Sequence, residues 1–304
     1  MSSNKYLIVL AGPTAIGKTA VAIKIAQHFK TEIISADSRQ FYREMLIGTA
    51  KPSQKELAEV PHHFVDSLSI HDHFTVGDFE KEAQKLLSRL FEKNDNVVMA
   101  GGSGLFIKAV CEGLDSFPEV PAKIRQEVNE LYKREGIEAL QKELRSLDPE
   151  YFDKVDQDNP MRLIRAIEVC RTSGQAYSNF LKGKKADRPY KIIYLRLEMD
   201  REELYGRINR RIDQMIELGL ENEVKNHIPF KHLIPLQTVG YQELFDYLNK
   251  ETSLEEAIAL IKRNTRRYAK RQMTWLRRDA HWIAFSPSEI QKIIDYLKER
   301  LSSD

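Results

Sequence analysis

The chain has 304 residues, 30% of them charged, and a formal net charge of +2. This length is typical of one large domain or two modest ones, and the net charge alone does not indicate a class of partner. The two cysteines, Cys111 and Cys170, lie far apart, which excludes a disulfide framework and a cysteine-based zinc site and indicates a reducing compartment. No apolar stretch approaches the ~20 residues that span a bilayer, and the short apolar run near the N-terminus does not resemble a signal peptide. We therefore expect a cytoplasmic protein without a membrane partner.

Eight consecutive residues near the N-terminus match the G-x-x-x-x-G-K-[ST] phosphate-loop pattern at every fixed position. They are Gly12, Pro13, Thr14, Ala15, Ile16, Gly17, Lys18 and Thr19. In this pattern the glycines let backbone N–H groups surround an anion, the lysine supplies a positive charge and the hydroxyl can ligate Mg²⁺. Residues 6–10 are typical of a buried parallel strand and residues 18–29 of a helix, which is the context that the pattern requires. The sequence thus predicts a site for a di- or triphosphate group.

The first third of the chain alternates strand and helix patterns. Further strands are predicted at residues 32–37, 62–66 and 96–100, and a helix at residues 76–94. This rhythm predicts an α/β fold with a parallel sheet of the P-loop NTPase type, helices on both faces and ligands at the carboxyl ends of the strands. We expect the strand at residues 32–37 to lie beside the strand of the phosphate loop.

The strand–helix rhythm breaks near residue 113, and from residue 121 to about residue 185 every strong signal is helical. Helices are predicted at residues 124–134, 137–147 and 160–172, and residues 183–189 are suited to an exit hinge. We therefore predict an all-helical domain, residues 114–189, inserted into an α/β core that residues 1–113 and 190–304 form. The second half of this core is predicted to contain strands at residues 191–197 and 281–285 and helices at residues 201–226, 254–278 and 287–301.

Asp37 ends the predicted strand at residues 32–37, which brings a carboxylate close to the phosphate loop. A role as general base is favoured, because nothing else so near the phosphates in the motif can accept a proton. A helix N-cap and a carboxylate in the outer shell of Mg²⁺ remain as alternatives. Its neighbours Ser38, Arg39 and Gln40 are polar and suited to hydrogen-bonding a ligand.

Two other groups of residues give weaker signals. Residues 101–104, Gly-Gly-Ser-Gly, follow a strand and open a helix, so they could hold a second anion or form a simple glycine turn. His62, His63, His71 and His73 lie close in sequence, but their spacing does not match a helical zinc pair. We expect these histidines to belong to a loop that packs against the substrate or to a polar surface.

Residues 262–278 carry many basic side chains and no acidic one. On a helix they form two adjacent rows, Arg263, Arg267 and Arg271 in one and Lys262, Arg266 and Lys270 in the other. Like charges in such rows oppose helix formation unless an anion is present, so a footprint for a nucleic-acid phosphate backbone is favoured over a solvated basic face.

Smaller arginine pairs occur elsewhere. Arg207 and Arg211 are spaced i, i+4 on the helix predicted at residues 201–226, and Arg162 and Arg165 lie in the helical insertion. A motor-type ATPase would also need two consecutive acidic residues at a strand end, and this chain has none in that position. Transfer of a group to a bound acceptor is therefore favoured over nucleotide hydrolysis.

Taken together, the motifs resemble those of bacterial tRNA dimethylallyltransferases, the IPP transferase family, in the same order from residue 12 to residue 275. Besides the phosphate loop they are Asp37-Ser38-x-Gln40-x-Tyr42, Ile47-Gly48-Thr49-Ala50-Lys51-Pro52, Pro61-His62-His63, Gly101-Gly102-Ser103-Gly104-Leu105, Asn159-Pro160-x-Arg162-x-x-Arg165-Ala166-x-Glu168, Val239-Gly240-Tyr241 and Arg267-x-Ala269-Lys270-Arg271-Gln272-x-Thr274-Trp275.

The resemblance implies transfer of a dimethylallyl group from dimethylallyl diphosphate to N6 of the adenosine at tRNA position 37, with Mg²⁺ on Thr19. It implies that Asp37 accepts the N6 proton, that Thr14 binds the bridging-oxygen region, and that Lys18 and Arg211 neutralise the leaving diphosphate. Residues 12–19 would bind this diphosphate together with Arg207 and Arg211.

The same resemblance implies an extended contact with tRNA. The residues concerned are Asp37, Ser38, Arg39, Gln40, Ser103, Arg125, Met161, Arg162, Leu163, Ile164, Arg165, Val239, Gly240, Tyr241, Gln242, Arg267 and Arg271. The insertion is expected to contact the anticodon stem-loop, and the enzyme to act as a monomer. Ser103 stands where the family usually has threonine and keeps the hydroxyl, whereas Phe106 lacks the phenol of the tyrosine common there.

Two other functions remain open. One is a P-loop nucleoside or small-metabolite kinase that uses ATP and has the insertion as a lid. The other is a nucleotide-dependent RNA-binding switch. The basic segment at residues 262–278 has no evident purpose in a kinase.

Overall fold

The structure, a computed structural model, describes residues 5–183 and 185–302. The chain forms two compact units. One combines the chain up to Glu112 with the chain from Asp187 onward, and the other consists of Gly113–Ala186. Among the described residues, no helix combines the length and the apolar character needed to cross a bilayer.

The first unit is built on a parallel sheet, which has six strands in the described part of the chain. They are β1 (Tyr6–Ala11), β2 (Ile33–Ala36), β3 (His62–His63), β4 (Asn96–Gly101), β5 (Lys191–Leu197) and β6 (Ile283–Phe285), in the spatial order β3-β2-β4-β1-β5-β6. The helices are α1 (Lys18–Phe29), α2 (Gln54–Glu59), α3 (Val76–Lys93), α4 (Gly104–Glu112), α5 (Ala122–Leu147), α6 (Pro149–Phe152), α7 (Pro160–Ser173), α8 (Arg201–Glu217), α9 (Leu220–Asn226), α10 (Tyr241–Leu248), α11 (Leu254–Arg277) and α12 (Ile290–Ser302). Short 3₁₀ helices lie at Tyr177–Phe180, Ile228–Phe230 and Ile234–Leu236.

Both faces of the sheet are covered by helices. Alternate residues of β1 enter different apolar clusters, Leu7 and Val9 on one side and Ile8 and Leu10 on the other. The first cluster includes residues of α3, α4, α10 and α11, and the second includes residues of α1, α8 and α12. Such burial on both faces is the reason that β1 reads as a continuous apolar run. The predicted P-loop type of fold is confirmed.

The predicted neighbour of β1 is wrong. β4, and not β2, pairs with β1 on that side, and β2 pairs with the far edge of β4. The crossover through α1 therefore skips one strand position. Gly101 of β4 faces Ala36 of β2, where a Cβ would lie 2.2 Å from the Ala36 carbonyl oxygen, so this close approach requires glycine.

Several element boundaries also differ from expectation. The helix predicted at residues 201–226 is broken into α8 and α9, because Gly219 adopts a φ of 95°. The third strand ends at His63, since Phe64 and Asp66 both have positive φ angles. The break between the helices predicted at residues 124–134 and 137–147 is confirmed: Gly136 interrupts α5 with a φ of 77°.

Helices are the regular structure of the second unit, and its described residues contain no strand. α5, α6 and α7 enclose a core of their own, with Val128, Leu140 and Leu144 of α5 against Leu163 and Ile167 of α7. Asn159 caps α7 by accepting from the Arg162 N–H at 3.3 Å, and Pro160 occupies the first helical position, where no N–H is needed.

Candidate active site

The phosphate loop wraps from the end of β1 into the first turn of α1. Ala15 and Gly17 adopt positive φ angles of 64° and 102°, which turn the loop back on itself. A Cβ at Gly12 would lie 3.1 Å from Ile16 Cγ2 and 3.3 Å from Leu197 Cβ, so the loop start is tightly packed. The positive end of α1 therefore points into the loop, as an anion site requires.

Lys18 lies inside this loop. Its Nζ donates a hydrogen bond to the Pro13 carbonyl oxygen at 2.8 Å. Burial of the amine lowers the pKa of Lys18 to about 8; the Asp37 charge opposes this shift, and the Arg211 charge adds to it. A buried ammonium group with a carboxylate and a guanidinium nearby is poised to bind an anion.

Two arginines of α8 reach the loop from the other side. Arg207 Nη1 donates to the Ile16 carbonyl at 3.4 Å and its Nη2 lies 3.1 Å from Glu203 Oε1, while Arg211 Nη1 lies 3.5 Å from Thr14 Oγ1. Burial lowers the pKa of Arg211, against the effect of Asp37. The spacing i, i+4 puts both guanidinium groups on the face of α8 that meets the phosphate loop.

These groups line a first cleft of about 460 Å³. Its polar lining includes Thr14, Lys18, Thr19, Ser35, Asp37, Gln40, Thr49, Arg207, Arg210 and Arg211. Two carboxylates, Asp37 and Glu56, face one lysine and three arginines in this lining, so positive charge prevails and the first cleft suits a strongly anionic ligand. Thr19 stands in its lining, where its hydroxyl is available to a cation bound with that ligand.

A second cleft adjoins the first. Its lining combines apolar side chains of α8, α9 and α11 with polar loop residues, and consists of Thr14, Ala15, Asp37, Ser38, Arg39, Gly48, Thr49, Ile208, Arg211, Ile212, Met215, Leu220, Thr238, Val239, Gly240, Ile261, Thr265 and Tyr268. Five residues line both clefts, namely Thr14, Ala15, Asp37, Thr49 and Arg211. A ligand in either cleft would therefore meet the other ligand beside Asp37.

Asp37 stands at this junction in a turn after β2. Its Oδ1 accepts a hydrogen bond from the Arg39 N–H at 3.2 Å. Residues 38–41 form turns and no helix begins there, so the helix N-cap alternative is wrong. Burial and the Asp37 charge raise the pKa of Tyr268, across the second cleft, to about 12, which keeps its phenol protonated.

The glycine-rich residues 101–104 pack against α11. The Ser38 N–H donates to Ser103 Oγ at 3.1 Å, and Gln272 Nε2 donates to the Gly102 carbonyl at 2.9 Å. A Cβ at Gly104 would lie 2.6 Å from Trp275 Cδ2. These contacts explain why positions 102 and 104 carry glycine, so a second bound anion is not needed to explain them. Phe106, which follows, packs against the apolar core with its ring tilted against those of Phe41 and Phe79, where a phenyl ring suffices.

Some residues predicted to contact tRNA face the protein interior. Leu163 and Ile164 belong to the core of the second unit, and the Tyr241 side chain is fully buried. Any contact of these three with RNA would have to come from the backbone. The Gln40 amide is engaged by Ser35 and by the Ala50 carbonyl, each at 3.3 Å.

Other predicted contact residues lie at surfaces. In the first unit, Ser38, Arg39, Val239 and Gly240 line the second cleft, and Gln242, Arg267 and Arg271 are exposed. In the second unit, Met161 and Arg162 are exposed, and Arg125 and Arg165 each lie 3.7 Å from the buried carboxylate of Glu168.

The two basic rows of α11 differ in their surroundings. Lys262 pairs with Asp213 at 2.5 Å, and Arg266 donates to Asn209 Oδ1 at 2.7 Å, so these two members of their row join α11 to α8. In contrast, Arg267, Lys270, Arg271 and Arg278 are exposed and, within residues 5–183 and 185–302, have no ion-pair partner. Together with Thr274 and Trp275 they line a shallow depression.

The histidines do not form a metal site. His62 Nδ1 lies 2.8 Å from the Val60 carbonyl, and His63 Nε2 lies 2.6 Å from Glu32 Oε2. His71 packs edge-on against Phe230. Across the described residues, no three His, Cys, Asp or Glu side chains come together as a metal-binding group.

Three residues to which the sequence assigned no role organise the site. Gln272 joins the phosphate loop to Gly102, Glu223 binds the backbone of residues 46–48, and Glu243 accepts from the Gly240 N–H and from Asn264 Nδ2, both at 2.7 Å. A capping pattern at Gly240 could have indicated Glu243. The other two act across long stretches of sequence and carry no local signal.

Comparison with known proteins identifies the family. The family model described as IPP transferase matches residues 40–279. A tRNA dimethylallyltransferase of Christiangramia forsetii is 51% identical, over 99% of this chain and 100% of that protein, and one of Flavobacterium johnsoniae is 49% identical, over 98% and 99%. The crystal structure of a tRNA isopentenylpyrophosphate transferase of Bacillus halodurans matches with a TM-score of 0.74 and 35% identity, over 98% of this chain and 97% of that one. This chain therefore belongs to the IPP transferase family.

Proposed function

We propose that this protein transfers a dimethylallyl group from dimethylallyl diphosphate to N6 of the adenosine that lies 3′ of the anticodon in tRNA. The family and the names of its relatives support a tRNA prenyltransferase. The observation that carries the proposal is the pair of clefts that share Thr14, Asp37 and Arg211. A transferase needs two substrates to meet at one point, and this junction offers it.

The donor diphosphate belongs in the first cleft. Lys18, Arg207 and Arg211 supply positive charge there, and Thr14 Oγ1 beside Arg211 can bind the oxygen that bridges the prenyl group to the diphosphate. As the allylic C–O bond breaks, negative charge grows on this oxygen. Fixed cations already in place stabilise that charge without reorganising at the moment of reaction.

Mg²⁺ suits the same cleft. The Thr19 hydroxyl and the Asp37 carboxylate both line it, and oxygen is the ligand atom that Mg²⁺ prefers. With no protein cluster of His, Cys, Asp or Glu among the described residues, the ion would take most of its ligands from the diphosphate and water. When bound, it would neutralise part of the charge of the leaving group.

The acceptor adenine belongs in the second cleft. Transfer forms the bond between the allylic carbon and N6, releases diphosphate and sends one N6 proton to the Asp37 carboxylate. An exocyclic amine on an aromatic ring is a weak nucleophile, so positioning beside Asp37 contributes much of the rate. The base must leave the anticodon stack to enter, which the single-stranded anticodon loop permits.

Contacts with the rest of the tRNA would come from two surfaces. The exposed arginines Arg267 and Arg271 suit phosphates, and Arg125, Met161, Arg162 and Arg165 of the helical unit suit the anticodon stem-loop. Because one chain supplies both clefts, we propose a monomer. The buried free thiols of Cys111 and Cys170 favour the reducing cytoplasm as its location.

One experiment separates this function from a kinase or an RNA-binding switch. The protein is incubated with unmodified tRNA, Mg²⁺ and labelled dimethylallyl diphosphate, and in parallel with ATP. Label in the adenosine 3′ of the anticodon is the expected result. ATP turnover without incorporation would overturn the proposal, and so would tRNA binding with neither reaction.

The Asp37→Asn variant refines the test. It removes the proton acceptor and keeps the shape, so transfer should fall by about 10²–10⁴-fold while tRNA binding stays intact. A loss of tRNA affinity that equals the loss of rate would instead indicate that Asp37 acts in binding.

A further inference from the structure

Glu223 of α9 holds the loop at residues 46–48 through its backbone. Its Oε2 accepts from the Leu46 N–H at 3.0 Å and the Ile47 N–H at 2.7 Å, and its Oε1 accepts from the Gly48 N–H at 3.1 Å. The Tyr241 hydroxyl donates to the same Oε1. A carboxylate has about four acceptor positions, and here all four are used, so Glu223 fixes three consecutive peptide groups.

The Tyr241 ring packs against the same loop at residues 46–48. It is fully buried and follows the loop at residues 238–240. A Cβ at Gly48 would lie 2.5 Å from Tyr241 Cε2, so the peptide of Gly48 rests on the tyrosine ring. The hydroxyl contact with Glu223 therefore ties together the chain at residue 48 and the chain at residue 241, which are distant in sequence.

Both of these segments line the second cleft. Gly48 and Thr49 come from one, and Thr238, Val239 and Gly240 from the other. Glu223 and Tyr241 themselves do not line either cleft. The pair thus lies behind the wall of the second cleft and can act on a ligand only by fixing that wall.

We infer that Glu223 and Tyr241 are positioning residues that set the acceptor cleft and so align the nucleobase with Asp37. The inference rests on the proposed function. It gives Tyr241 a role behind the cleft wall in place of a direct side-chain contact with tRNA. The donor diphosphate lies in the first cleft, against Lys18 and Arg207, and is not held by this pair.

The variants Tyr241→Phe and Glu223→Gln test the inference. Phenylalanine removes only the hydroxyl, and glutamine turns one pair of acceptor positions into donors that face N–H groups. Glu221→Gln is the matched control, since Glu221 lies on the same helix and, in the described residues, makes no hydrogen bond or ion pair through its side chain. Steady-state kinetics are measured separately for tRNA and for dimethylallyl diphosphate, alongside thermal unfolding.

We expect kcat/KM for tRNA to fall about 10- to 100-fold in Glu223→Gln and less in Tyr241→Phe, with KM for dimethylallyl diphosphate unchanged. A rise in KM for dimethylallyl diphosphate as large as the loss in kcat/KM for tRNA, or kinetics like those of Glu221→Gln, would overturn the inference. If Glu223→Gln does not fold, Tyr241→Phe decides by the same criterion. Absence of transfer by the protein without these substitutions would contradict the proposed function itself, which is a separate outcome.

Discussion

The Thr14 N–H donates a hydrogen bond of 2.9 Å to Gln272 Oε1, and the Nε2 of the same amide donates to the Gly102 carbonyl at 2.9 Å. One buried side chain of α11 thus joins the loops that follow β1 and β4. A Cβ at residue 102 would lie 2.3 Å from Gln272 Nε2, so the bridge requires glycine there. The helix that carries the exposed arginines therefore also holds the phosphate loop in place.

Replacing Gln272 with glutamate keeps the acceptor for Thr14 but sets a carboxylate against the Gly102 carbonyl. A buried acceptor that loses its donor costs about 1–3 kcal/mol, so we expect the free energy of unfolding to fall by that amount and transfer to slow. Urea denaturation and the rate of label incorporation measure both effects.

Gln237→Glu is the control for this variant. Gln237 also donates its amide to a backbone carbonyl, that of His232 at 3.2 Å, but it is exposed. If the free energy of unfolding and the rate of transfer fall no more in Gln272→Glu than in this control, the bridge contributes nothing to stability or transfer.

The pH dependence of donor use should report on Lys18. Burial lowers the pKa of Lys18 from 10.5 to about 8, so the free enzyme loses this positive charge as the pH rises through about 8. We expect kcat/KM for dimethylallyl diphosphate to decline above that pH. Lys18→Arg should keep a flat profile on its residual activity, because arginine stays protonated. A parallel decline in both proteins would exclude Lys18 as the titrating group.

The same shift affects stability with a definite sign. Between about pH 8 and 10.5 the unfolded chain carries the Lys18 proton and the folded protein does not. The contribution of Lys18 to the free energy of unfolding therefore rises with pH across this window.

Local signals made much of the fold predictable from sequence. The phosphate loop, β1 and α1 are contiguous, so glycine positions and apolar periodicity determine them together. The order of strands is not local: nothing in residues 32–37 indicates that β4 will separate β2 from β1. The sequence does not predict the break at Gly219, because the apolar pattern continues from α8 into α9 while the backbone turns.

The site residues divide in the same way, into those with a local sequence signal and those without one. Lys18, Asp37 and Arg211 come together as the motifs suggested. The strand that precedes Asp37, however, is separated from β1 by β4 and does not lie beside it as expected. Gln272 lies 258 positions from Thr14, and Glu223 lies 177 positions from Leu46, so their contacts exist only in the folded chain. A single glutamine or glutamate in a helix does not indicate which loop it will hold.

Magnesium binding should depend on the donor. Thr19 offers one hydroxyl, and the described residues contain no metal-binding cluster, so we expect no calorimetric signal from Mg²⁺ alone and clear binding once inorganic diphosphate is present. Thr19→Val should raise the Mg²⁺ concentration for half-maximal transfer by about tenfold, or ~1.4 kcal/mol, whereas Thr19→Ser should not. Equal behaviour of these two variants would contradict a ligand role for the Thr19 hydroxyl.

The outward row of α11, formed by the exposed Arg267 and Arg271, should provide phosphate contacts. Arg267 and Arg271 are exposed and have no ion-pair partner among the described residues, whereas Lys262 is paired with Asp213. Replacing both outward arginines with alanine should weaken tRNA binding and flatten the slope of log K against log salt by about 1 for each lost contact. Lys262→Ala is the control and should leave the slope unchanged, because that charge is already paired with the Asp213 carboxylate on α8. An equal slope in all three proteins would mean that the outward row is a solvated face, and the tRNA backbone would then have to lie elsewhere.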